Sequence, residues 1–254
     1  MRTNLQKYSI MKKLGILLLA CITALNLWAE KFKIGKFRFE IVKPTTVKLI
    51  DADKDITNVF LSETIDYEGK TYTIMSIGQW AFSSCTSLTS VSIPNSVTSI
   101  GENAFWGTAL YENPANWENG ALYIDDCLIK VDEGFVGHFR IKENTRVIAD
   151  GAFVNCKSLT SVIIPNSVTR IGDVVFAGCE SLTSVTIPNS VTSIGYIAFE
   201  GCKSLNSVTI PNSVTSIGNE AFKGCSSLTS LTIPNSVTYI GWRAFPEHTQ
   251  IIRR

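Results

Sequence analysis

Ser181-Leu182-Thr183-Ser184-Val185-Thr186-Ile187-Pro188-Asn189-Ser190-Val191-Thr192-Ser193-Ile194-Gly195-Tyr196-Ile197-Ala198-Phe199-Glu200-Gly201-Cys202-Lys203 is one pass through a unit of 23 residues that recurs along the chain. Its Ile-Pro-Asn-Ser-Val centre returns at Pro165, Pro188, Pro211 and Pro234, with an earlier copy at Pro94. A fixed period between about 20 and 50 residues marks a solenoid, in which each coil stacks only on its neighbours. Leu182, Val185 and Ile187 alternate with polar residues, so they form a short strand with its apolar side inward and Thr186 outward. Pro188-Asn189 turns the chain, because proline presets φ for a turn and asparagine tolerates the next position. Val191 to Ile194 is a second extended piece, Gly195 a corner, and Tyr196 to Gly201 a short helical or 3₁₀ turn that buries Ala198, Phe199 and Cys202. One coil cannot cover both sides of its own apolar set, so coils must stack.

The phenylalanine column is Phe82, Phe105, Phe153, Phe176, Phe199, Phe222 and Phe245. Its step is 23 except between Phe105 and Phe153, where it is 48. This reads as about seven coils over 56–252, with an insertion at about 106–137. Two β-runs around Asp125-Asp126 make the insertion a hairpin, expected to lie beside the stack. A second hairpin is expected at Ile65 to Ile74, turning at Glu68-Gly69. Residues 30–55 alternate as strands that cap the first coil, and Ile251-Ile252 begins a last strand. The expected fold is a β-rich repeat solenoid with short helical or 3₁₀ turns.

Lys12-Lys13 and the apolar run Leu14 to Ala29 make 1–29 an export signal, with Met11 an alternative start. The run is 16 residues, short of the about 20 that a membrane span needs. Lipidation at Cys21 is the alternative to cleavage after Ala29. A net charge of +1 makes no case for a nucleic-acid or membrane-surface partner. Cys156, Cys179, Cys202 and Cys225 occupy one repeat position, with Cys85 earlier. Stacked residues have Cβ atoms about 4.8 Å apart, wider than a disulfide wants, so the column reads as buried free thiols.

The units resemble BspA-like leucine-rich repeats of bacterial surface proteins. The matching positions are Leu182, Val185, Ile187-Pro188, Ser190-Val191, Ile194-Gly195, Ala198-Phe199 and Cys202, with their copies. Asn113-Pro114-Ala115-Asn116-Trp117, Leu122-Tyr123-Ile124 and Gly69-Lys70-Thr71-Tyr72 also look like segments of that family. Ser190 stands where commoner leucine-rich repeats carry asparagine, so no buried asparagine ladder is expected. The resemblance implies a right-handed superhelix of the leucine-rich-repeat type, and an exported or surface-displayed, non-enzymatic binding protein whose partner is a host matrix protein or another bacterial surface protein. It supplies no catalytic residue and no cofactor.

The residues themselves point the same way. The two histidines, His138 and His248, lie about four coils apart, roughly 20 Å, too far to act as a pair. Asp51-x-Asp53-x-Asp55 begins like a calcium loop but has Ile56 and Ser62 at the sixth and twelfth positions, so it reads as a solvated turn. The outward serine and threonine columns read as solvated, strand-favouring surface, with a glycan-binding array as the alternative. Individuality lies where the repeat varies. The outward strand position holds Phe60, Ser92, Arg140, Ile163, Thr186, Thr209 and Thr232, and Phe60, Arg140 and Ile163 break that polar column. With Trp80, Tyr196 and Trp242 at the corners and Trp106 and Trp117 in the insertion, they form the candidate partner-binding set. The alternative is a structural module that spaces or self-associates without a dedicated ligand.

Overall fold

Alternating apolar residues and regularly spaced turns give strands too short to stand alone, and the computed structural model, which describes residues 30–254, stacks them. The chain opens with an antiparallel cap, β1 (Lys31–Ile34), β2 (Phe37–Lys43) and β3 (Thr46–Ala52). It then lays down β4 (Asn58–Phe60), the hairpin β5 (Thr64–Tyr67) and β6 (Lys70–Ile77), then β7 (Ser90–Ser92) and β8 (Ser99–Ile100). The hairpin turns at Glu68 and Gly69, both at positive φ, as expected. The insertion holds α1 (Ala109–Glu112), a 3₁₀ turn at Pro114–Asn116, β9 (Trp117–Glu118), β10 (Ala121–Ile124) and β11 (Cys127–Val131). Regular coils follow: β12 (Gly137–Arg140), β13 (Val147–Ile148), β14 (Leu159–Ile163), β15 (Arg170–Ile171), β16 (Ser184–Thr186), β17 (Ser193–Ile194), β18 (Ser207–Val208), β19 (Ser216–Ile217), β20 (Ser230–Ile233), β21 (Tyr239–Ile240) and β22 (Gln250–Arg253). The export signal, Met11 and Cys21 lie outside the described residues. None of the described helices is long and apolar enough to cross a membrane.

The result is a β-solenoid of about nine turns, spaced by about 23 residues. That exceeds the seven turns counted from phenylalanines, because the rung ending in β22 and the layer built by the insertion carry no ring of that column. One wall is the parallel ladder β12-β14-β16-β18, continued by β20-β22. The other is β15-β17-β19-β21. Like residues align: Val162 on Val185, Ile171 on Ile194. Phe153, Phe176, Phe199 and Phe222 are fully buried, with successive ring centroids 5.0–5.1 Å apart.

The corner expected to be helical is a run of turns that forms a third ladder. The Phe199 and Gly201 amides donate to Ala221 and Lys223 of the next coil at 2.7 and 2.8 Å, so they do not serve a helix. Ile197, at φ 57°, breaks any helical run. Gly195 is required by close approach: a Cβ there would sit 2.5 Å from the Gly172 carbonyl.

Small polar side chains fasten the coils. Ser190 and Ser213 hydroxyls donate to Val168 and Val191 carbonyls at 2.6 Å, doing what an asparagine ladder would do. Thr192, Thr215 and Thr238 hydroxyls likewise donate one coil back, at 3.2–3.3 Å, so this threonine column is a staple as well as a solvated surface. Cys179, Cys202 and Cys225 are buried free thiols that donate to Phe153, Phe176 and Phe199 carbonyls at 3.1 Å. Burial pushes the Cys156 and Cys127 thiols up to about 12.

The insertion does not lie beside the stack. It is a layer within it. Leu122, Ile124, Cys127 and Ile129 pack into the core of the cap and first coils, whereas Ala121, Leu128 and Val131 pack into the core of the later coils. A hairpin apolar on both faces cannot be a flap, because a flap would leave one of those faces in water. Arg146 pins it: Nε meets Asp126 at 2.8 Å, and the guanidinium also donates to the Pro94 carbonyl at 3.0 Å and to that of Val97. At the opposite corner no hairpin intervenes, and Asp150 N–H donates straight to the Ile100 carbonyl at 2.8 Å.

Candidate functional site

The outward strand position of the repeat carries three of the candidate residues, Phe60 on the β4–β7 pair and Arg140 and Ile163 on the main ladder. Phe60, on β4, is 83% exposed and pairs in register with Ser92. Arg140 on β12 lies opposite Ile163 on β14, and Ile163 opposite Thr186. Alternation within β12 puts His138 on the same face as Arg140. Val136 precedes the strand across Gly137, whose φ of 94° interrupts the alternation; Ile163 is 44% exposed. His138, Arg140 and Ile163 are thus one contiguous patch, held on a rigid sheet immediately after the insertion. Arg140 is steered by Glu143, 2.7 Å away. The His138 ring nitrogen Nδ1 is 2.6 Å from Ser161 Oγ.

The other candidates lie elsewhere. Trp80 and Trp106 meet edge to face, centroids 6.1 Å apart, on the corner edge of the first coils. Tyr196 and Trp242 share a corner position two coils apart, and the Arg243 guanidinium lies 4.7 Å from the Trp242 ring centroid. Trp117 braces the insertion: its indole N–H donates to the Tyr111 carbonyl at 2.8 Å, and the rings meet edge to face at 5.4 Å. Burial pushes the Tyr111 hydroxyl up to about 12.

Sequence reasoning weighed His138 only for catalysis and so missed its place in the patch. The signal was its period-2 spacing from Arg140. It also missed a groove of about 490 Å³ where the coils meet at Ile100 and Asp150. Lys48, Gln79, Glu102, Asp150, Arg170 and Tyr196 line it. The Asp150 carboxylate accepts from the Asp173 amide at 2.9 Å. Burial pushes its pKa up to about 6, against the pull of Arg170. Asp51, Asp53 and Asp55 are not a free turn: they pair with Arg38, Lys33 and Lys36 at 2.7–3.0 Å and tie the cap together. Lys36 holds the Asp55 carboxyl below its usual range. Among the described residues no group of three or more His, Cys, Asp or Glu is placed to hold a metal.

No curated protein matches the chain. Among solved structures, it is similar to a leucine-rich repeat protein of T. pallidum at 28% identity, covering 84% of this chain and 86% of that one, with a TM-score of 0.38. It is also similar to a leucine-rich cell surface protein of Faecalibacterium prausnitzii, at 23% identity over 89% and 76%, TM-score 0.37. The pneumococcal vaccine antigen PcpA aligns at 13% identity over 89% and 99%, TM-score 0.42. Six copies of the BspA type leucine-rich repeat region match residues 58–118 and 138–253, and the chain belongs to that family.

Proposed function

We propose that the protein is an exported, non-enzymatic binding module that engages a protein partner, on a host matrix or on a bacterial surface, through the outward face of its main ladder. The observation that carries this reading is the cluster His138, Arg140 and Ile163. The next three coils hold Thr186, Thr209 and Thr232 where Arg140 and Ile163 stand, so the scaffold does not need either residue there. An exposed aliphatic side chain beside an oriented guanidinium is the composition of a contact anchor. Phe60 adds a second anchor on the same face, nearer the cap. The apolar run at Leu14 to Ala29 behind Lys12-Lys13 supports export.

The test is binding of purified protein to immobilised matrix proteins by biolayer interferometry. The wild type should bind saturably. Phe60→Ser, Arg140→Thr and Ile163→Thr together put the column's polar letters in place of the three exceptions and should abolish that binding without shifting the melting temperature. Unchanged binding by the triple variant would refute the assignment of the face. Concentration-dependent multimers with no ligand binding would favour a self-associating spacer.

A further inference from the structure

The main ladder is missing a rung. Strand β7 pairs with β4 and the next strand of that wall, β12, pairs only with β14. Between them stands the insertion, whose central strand β10 already has β9 and β11 on its two edges and has none left for β7. The two ends of the free edge of β7 are tied: Leu110 N–H donates to the Leu88 carbonyl at 2.8 Å, and Asp125 Oδ2 accepts from Ile93 N–H at 2.8 Å. The stretch between, residues 89–91, borders a cleft of about 230 Å³ whose other side is Leu110, Asn116, Leu122, Tyr123, Ile124 and Asp125.

The regular coils show which groups are left over. The Thr160 carbonyl accepts from Thr183 of the next coil at 2.9 Å, and Ile141 N–H donates to the Ile163 carbonyl at 3.2 Å. Thr89 stands where Thr160 does, and Ile93 where Ile141 does. Asp125 takes the Ile93 donor. The Thr89 carbonyl and, by alternation along the strand, the Val91 N–H and C=O have no backbone partner on the cleft side among the described residues. An open strand edge is complementary to the backbone of another extended chain, and to little else.

We propose that this cleft takes up an extended peptide segment of a partner protein, which adds itself to β7 as the missing rung. The backbone groups of Thr89 and Val91 supply the pairing. Leu110, Leu122 and Ile124 floor a small apolar pocket, and Asn116 and Asp125 form its polar rim. About four residues of the guest span the free edge at about 3.3 Å each. The site rests on the reading of the chain as a protein-binding module, but uses a different surface from the His138–Ile163 patch.

The experiment is amide hydrogen exchange on the described chain, alone and with a synthetic peptide of residues 181–189, which carries a rung of the chain's own repeat. Alone, the Val91 amide should exchange at least about tenfold faster than Val162 and Val185, its counterparts inside the ladder. Saturating peptide should slow it selectively, leaving the amides of 136–140 unchanged. Val91→Pro removes only the cleft-facing donor, because proline is tolerated where the N–H does not serve the sheet, and should weaken the peptide about tenfold. A Val91 amide already as slow as Val162, or no protection of Val91 at millimolar peptide, would overturn the proposal. Loss of matrix-protein binding in the triple variant with Val91 protection intact would leave the cleft standing and locate the other contact on the ladder face. Loss of matrix-protein binding in the triple variant, with no protection of Val91 by the peptide in the wild type, would keep the face and remove the cleft.

Discussion

At the scale of single residues, two neighbours in one coil should behave in opposite ways. Phe199 is sealed between Phe176 and Phe222, so Phe199→Ala leaves a cavity and should cost about 3–5 kcal/mol. Thr186 points to water from the same coil, and Thr186→Ala should stay within about 0.5 kcal/mol. Thermal or denaturant unfolding of both variants measures the contrast, and equal small effects would mean that the faces are misassigned. Asp150 carries a pH signature. Its pKa is raised in the folded chain, from 3.8 to about 6, so the folded state holds the proton more tightly than the unfolded chain does. Its favourable contribution is present in full below about pH 4 and is lost as pH rises through about 6. The carboxylate's side chain is 18% exposed, and the shift corresponds to roughly 2–3 kcal/mol between pH 4 and 7. Asp150→Asn can still accept from Asp173 but does not titrate. Denaturant unfolding at the two pH values should show the variant losing less stability than the wild type as pH rises, and an identical loss would remove Asp150 from the account.

Among elements, the insertion separates what patterning reveals from what it does not. The repeat letters were enough to place every regular strand pair, the β5–β6 hairpin and the cap, because period 2 and a fixed step act locally. They place the insertion beside the stack, and the structure puts it inside. Alternation in Leu122-Tyr123-Ile124 and Cys127-Leu128-Ile129 is weak because both faces are apolar, and that pattern is itself the mark of a strand buried on two sides. It was legible and was read as a flap. Arg146 was legible too, as an arginine where other coils carry threonine, but its partners Asp126 and Pro94 are 20 and 52 residues away, and only the fold brings them together. Leu122 and Leu128 face opposite cores. Leu122→Ala and Leu128→Ala should therefore each cost about 2–5 kcal/mol in equilibrium unfolding. Small effects from either would return the hairpin to the flank of the stack.

For the whole molecule, a hairpin shared by two cores makes the coils before it and after it a single body. This is also why the candidate site was only partly legible. Phe60, Arg140 and Ile163 stand out as broken letters in one column, but the patch formed with His138 depends on where the ladder restarts. The groove at Asp150 and the cleft beside β7 exist only because the insertion interrupts one wall and spares the other. Neither has a sequence motif, since each is a gap between elements. The tryptophans allow the unity of the body to be measured. With Trp28 and Trp242 replaced by phenylalanine, Trp80, Trp106 and Trp117 report on the first coils and the insertion, while far-ultraviolet circular dichroism reports on all the strands, half of which, β12 to β22, lie beyond it. Equilibrium unfolding in guanidinium chloride, followed by both signals on one sample, should give coincident transitions with the same midpoint and slope. Two separated transitions, with the tryptophan signal falling apart from the dichroism, would show that the hairpin does not join the cores and would contradict the account at its centre.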